Sequence, residues 1–135
     1  MSALKWRPLF FMRATSVFAL VLTFTFYAKA TTYYSRQTGN WSSTSTWSKV
    51  SCAGAASTKT PGSGGGQSGS SNDTVVICAG KTVTFNSSIS GNVTIKTLTV
   101  QSTGSLTITV NHSINCGSLV LDGTIDGARD RKSVV

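Results

Sequence analysis

From Asp73 onward, apolar and polar residues alternate along the chain. Val75 and Ile77, Val83 and Phe85, Val93 and Ile95, Leu98 and Val100, Leu106 with Ile108 and Val110, and Leu119 and Leu121 each stand two apart, with Thr and Ser in most of the places between. A period of two sends successive side chains to opposite faces, so each run predicts a strand with one buried face. The runs also repeat. Val75, Leu98 and Leu119 are 23 and 21 residues apart, each opens an apolar pair that leads to a glycine, and a second short run follows at Val83, Leu106 and Ile125. Short strands and glycine turns recurring about every twenty residues predict units that stack and share one core. The expected fold is therefore all-β: a short right-handed β-helix (β-solenoid) of about three coils over residues 73–127. A β-sandwich of two sheets is the alternative, since the same alternation and turns suit it.

The segment before the repeats has a different character. Residues 31–52, TTYYSRQTGNWSSTSTWSKVSC, hold Tyr33, Tyr34, Trp41 and Trp47 among hydroxyl side chains. An uncovered end of a strand stack exposes apolar cross-section and unpaired edges, so these aromatics are expected to form an N-terminal cap. Their other use would be a carbohydrate-stacking platform. Trp41 and Trp47 are six apart and so share one face of an extended strand, as either use requires. Residues 53–72 lack large apolar side chains and are expected to be a flexible Gly/Ser-rich loop. Gly80-Lys81-Thr82 does not complete a phosphate loop, because Val75 stands where the motif needs its first glycine.

Residues 1–30 read as a secretory signal peptide rather than as part of the fold. Lys5, Arg7 and Arg13 precede the apolar run Val17–Tyr27, and Ala28-Lys29-Ala30 supplies small residues at the cleavage positions. The run is far shorter than the roughly twenty residues of a membrane span, so the mature chain from Thr31 is expected to carry no transmembrane anchor. Removing the four leader cations reduces the formal charge from +8 to +4, and three of the remaining cations fall in the tail 128–135. Lys49, Lys59, Lys81 and Lys96 are scattered singly, which argues against nucleic acid as a partner. An exported chain meets oxidising conditions, and Cys52 with Cys78 is the expected disulfide, closing the glycine-rich segment. Cys116 is left without a partner.

Several elements together resemble a family. Tyr33-Tyr34-Ser35-Arg36, Gly39-Asn40-Trp41, Thr46-Trp47-Ser48 and Ser51-Cys52, followed by Asp73–Thr84 and the Leu98-Thr99-Val100 run, are similar to the N-terminal region of the Q-type biogenesis protein of mannose-sensitive haemagglutinin pili and related agglutinin-biogenesis proteins. The resemblance covers about residues 31–125. It implies a bacterial chain exported through the inner membrane to the cell surface, with pilus or cell-envelope components as partners, and it brings no catalytic residues. Members of that family are longer; here the alternation breaks after Gly127, and the charged tail reads as a truncation end or as a segment folded back over the last coil.

Candidate chemistry is sparse. There is one histidine, His112, in a turn context, and there are four Asp and no Glu. Asp73 is expected to support the turn into the first repeat. Asp122, Asp126 and Asp130 match no calcium-loop spacing, and Asp-Gly is a turn pair. No catalytic, metal or cofactor residues are assigned. The expected function is a non-catalytic, secreted surface module with a structural or presenting role in adhesion or pilus biogenesis. The alternatives are a carbohydrate-binding adhesin module using Tyr33, Tyr34, Trp41 and Trp47, and a fragment of a β-helix polysaccharide lyase or hydrolase.

Overall fold

The computed structural model describes residues 29–127; most of the leader and the tail 128–135 lie outside them. Eleven strands follow in order: β1 (Thr32–Ser35), β2 (Gly39–Asn40), β3 (Trp47–Ser48), β4 (Ser63–Gly64), β5 (Gln67–Ser68), β6 (Thr74–Ile77), β7 (Thr82–Phe85), β8 (Val93–Val100), β9 (Ser105–Ile108), β10 (Ile114–Leu121) and β11 (Thr124–Gly127). A single short 3-10 turn, Thr44–Thr46, precedes β3.

These strands form two separate sheets. The larger has seven strands in the order β3-β1-β6-β8-β4-β5, with β10 also on β8; the smaller has four, β11-β9-β7-β2. The continuous right-handed β-helix is thereby corrected to an all-β, two-sheet arrangement of β-sandwich type. Within the larger sheet β3, β4 and β5 pair antiparallel, which an unbroken stack of like coils would not contain. Alternation could not separate the two architectures, because it records which face of a strand is buried and not which sheet the strand joins.

The internal repeat survives at the level of pairing. Val75 lies opposite Leu98, and Leu98 opposite Leu119, in parallel register. Val83, Leu106 and Ile125 form the corresponding row in the smaller sheet. Parallel neighbours with one register put like beside like, so the apolar positions merge into one buried layer between the sheets. Val75, Ile77, Leu98 and Val100 enter it from one side and Val83, Phe85, Leu106 and Ile108 from the other.

Val93–Ile95 and Leu98–Val100 are parts of one strand, β8, and a bend joins them. Ile95 and Leu98 are both buried although three residues apart, and Lys96 and Thr97 between them face outward. Their amides both donate to the Asp73 carbonyl, at 2.8 and 3.4 Å. Two residues opposite one acceptor is the geometry of a bulge, which resets the alternation and keeps both halves of β8 buried.

The glycine-rich segment contains regular structure of its own. It carries the hairpin β4–β5, and β4 pairs with β8 at Ser63 and Thr94. Gly62 has φ +85°, and a Cβ there would meet Val93 and Ile95 side chains. The glycines at this point allow backbone to lie directly against the core, a use that composition alone does not distinguish from a linker. Thr60 and Ser68 close the hairpin base through reciprocal amide-to-hydroxyl bonds of 3.1 and 3.2 Å.

Candidate functional site

The aromatic segment holds the four candidate stacking residues, and the structure turns most of it inward. In β1 the alternation buries Tyr33 and Ser35 and leaves Tyr34 half-exposed. Trp41 leaves β2 with its amide on the Thr84 carbonyl at 2.9 Å. Trp41 and Trp47 are both 0 % exposed, so neither can present a ring face to a sugar. The two indoles meet edge-on at 5.1 Å between centroids, and Trp41 meets Phe85 in the same manner at 5.6 Å. Burial obliges each indole N–H to find an acceptor. Trp41 donates to the Pro61 carbonyl at 3.2 Å and Trp47 to the Trp41 carbonyl at 2.7 Å. Of the four candidate stacking residues, Tyr34 alone keeps part of its ring at the surface.

Cys52 and Cys78 are joined, with their Cα atoms 5.9 Å apart. The bond fastens the turn after β3 to the end of β6. Cys116 is free and half-buried against the core, and burial pushes its thiol up from the ordinary range. Asp122 and Asp126 are exposed, His112 is half-buried between β9 and β10, and Asp130 is outside the described residues. Among the described residues no group of three or more His, Cys, Asp or Glu side chains is placed to hold a metal ion.

Asp73 has a larger role than its position before a strand suggested. It is 1 % exposed, and its carboxylate accepts hydrogen bonds from the backbone N–H groups of Ser70 at 2.7 Å, Gly62 at 3.1 Å and Thr31 at 3.2 Å. Those amides belong to three separate stretches of chain, which one acceptor group draws together. A depression of about 260 Å³ opens beside it, lined among others by Thr31, Tyr33, Lys49, Lys59 and Ser70. Lys49 Nζ stands 5.6 Å from the Tyr33 ring centroid. Burial, and secondarily the charge of Asp73, pushes the Tyr33 phenol above its ordinary range.

The other outward feature is a regular polar face on the four-stranded sheet. Thr82, Ser105 and Thr124 lie opposite one another on β7, β9 and β11. Asn40, Thr84, Thr107 and Asp126 form a second row, two residues along, which adds β2. Parallel strands lie about 4.8 Å apart, so each row is an evenly spaced line of hydrogen-bonding groups. The residues between the rows are the inward Val83, Leu106 and Ile125. Thr82, Thr84, Ser105 and Thr107 were visible in the sequence as the polar half of the alternation; Asn40 lies before it and Asp126 read as a turn residue, and the alignment across strands depends on the register.

Among the described residues no helix is long and apolar enough to cross a membrane. Comparison with protein-family models, curated proteins and solved structures finds no match. Nothing in these comparisons or in the two-sheet topology therefore connects the chain to the biogenesis proteins of mannose-sensitive haemagglutinin pili.

Proposed function

We propose that this chain is an exported, non-catalytic cell-surface module, released from its leader after Ala30, that acts in adhesion by binding carbohydrate. The observation that supports this reading is the pair of in-register polar rows on the four-stranded sheet, Thr82–Ser105–Thr124 and Asn40–Thr84–Thr107–Asp126. Short hydroxyl side chains on a regular sheet can meet a polysaccharide chain with evenly spaced donors and acceptors, and β-branched Thr loses little further freedom on binding. The binding face differs from the one expected from the sequence, because Trp41 and Trp47 belong to the core.

Retention on insoluble polysaccharides and on a glycan array tests the proposal. The wild-type chain should bind at least one polymer, and Thr84→Lys with Thr107→Lys should weaken that binding by about tenfold or more, roughly 1.4 kcal/mol. Tryptophan emission should stay blue-shifted and unchanged on binding. Retention that survives the double substitution, or a large tryptophan response, would place the site elsewhere; no retention on any polymer removes the reading.

A structural, presenting role is the second reading, and a different observation favours it. Three of the four large apolar residues exposed among the described residues, Leu119, Val120 and Leu121, are consecutive on β10. A bare apolar strand of this kind is a surface on which further β-structure can add.

A further inference from the structure

The expected cleavage would free one particular nitrogen atom, and the fold has a buried acid beside it. Ala28-Lys29-Ala30 places small residues at the positions a leader-removing protease reads, and Lys29 and Ala30 are exposed and outside any strand. The next residue, Thr31, has its backbone nitrogen 3.2 Å from Asp73 Oδ1 and its carbonyl on the Thr74 amide at 2.9 Å. Asp73 is 1 % exposed, and the three hydrogen bonds its carboxylate accepts all come from neutral backbone amides. A cation at one of these donor positions would turn a neutral hydrogen bond into a charge-assisted one.

We propose that cleavage of the Ala30–Thr31 bond is a conformational latch: the α-ammonium it creates at Thr31 pairs with buried Asp73 and completes the fold. The proposal rests on the leader reading given above. The chemistry is a hydrolysis by an export-linked protease. Water adds across the amide, its oxygen going to the Ala30 carbonyl carbon to form a carboxylate. The C–N bond breaks, and the Thr31 nitrogen takes up protons to become an ammonium. The same atom that donated a neutral hydrogen bond now donates a charge-assisted one, which is shorter and about twice as strong.

The location explains why one ion pair would matter. Asp73 ties Gly62 and Ser70 of the glycine-rich segment to Thr31, just before β1, while its own carbonyl receives both amides of the β8 bend. An uncleaved chain has every contact except the charge, and it keeps Lys29 at the rim of the same depression. Cleavage removes the Lys29 ammonium and puts an α-ammonium in its place, against the carboxylate. The precursor is therefore the less stable form, which suits a chain that must cross a membrane before it folds.

The test compares three forms of the disulfide-bonded chain: one beginning at Thr31, one keeping Ala30, and one beginning at Thr31 with its α-amine acetylated. The Thr31 form should have the highest Tm, with the other two lower by about 5–10 °C, the size that a tenfold change in folding equilibrium takes in a domain of this length. Asp73→Asn should abolish the difference. Should that variant not fold, pH separates the forms with Asp73 intact. Tyr33 on β1, Lys49 after β3, Lys59 before β4 and Asp73 before β6 face the same place. An α-ammonium held by Asp73 has its pKa raised above the ordinary value of about 7.7–8.0. Its contribution is then complete below that value and is lost as pH rises through the raised one. The Thr31 form should keep its full advantage over the acetylated form below about pH 8 and lose it progressively as pH rises above that. Equal Tm values in all three forms would overturn the latch and leave the leader reading standing. The first residue of the exported chain, read by intact mass, decides the rest: a start other than Thr31 would defeat both.

Discussion

Thr46 illustrates how a single hydroxyl can be worse than none. Its side chain is 1 % exposed and its Oγ1 has no hydrogen-bond partner, while its backbone carbonyl accepts the Arg36 amide at 2.9 Å. An unpaired buried hydroxyl retains its desolvation cost with nothing to offset it. Thr46→Val keeps the shape and should stabilise the protein by about 1 kcal/mol in urea denaturation; a loss of stability would show that the hydroxyl has a partner in solution. Tyr33 and the two tryptophans make the opposite point. Their identities announced large buried or stacking groups, but only the positions of the Pro61 and Trp41 carbonyls show that both indole N–H groups are satisfied internally.

Between residue and molecule, the elements are held by links that local pattern does not report. The Cys52–Cys78 bond spans 26 residues and encloses the whole glycine-rich hairpin. Replacing both cysteines by Ala should lower stability by about 2–4 kcal/mol, with the loss read as an earlier urea midpoint. A loss confined to local exchange of the β4–β5 amides, with the midpoint unchanged, would mean that the hairpin opens separately from the sheets. The pairing could be anticipated, because two of three cysteines flank a glycine-rich segment in a chain expected to be exported. The hairpin itself could not. Glycine codes equally for freedom and for close approach, and Gly62 is of the second kind because Val93 and Ile95 fill the space a side chain would need. Nor could the β8 bend be read: Lys96-Thr97 separates two alternating runs in the sequence as a turn would, yet the Asp73 carbonyl receives both amides and keeps the strand continuous.

For the molecule as a whole, the edge at β10 is the open question that experiment can close. Its exposed side chains include Leu119, Val120 and Leu121, at 42–47 % exposure, and its eight residues, Ile114–Leu121, include no charge to discourage pairing. Val120→Lys should change stability by less than about 0.5 kcal/mol and should reduce self-association measured by light scattering. If the wild-type chain does not associate, or associates equally with Lys at 120, β10 is not an edge to which further strands add. The sequence by itself determined the strands of the repeats, the spacing at which they recur and the buried faces of β6 to β9, because alternation is carried by neighbouring residues; Leu119 and Leu121, which alternate in the same way, stand exposed on β10. Only the tertiary structure decided that the strands divide between two sheets, that the tryptophans serve the core, and that Asp73 gathers three stretches of chain. Those outcomes depend on where the turns send each strand and which distant backbone groups remain to be paired, and a periodic pattern contains neither.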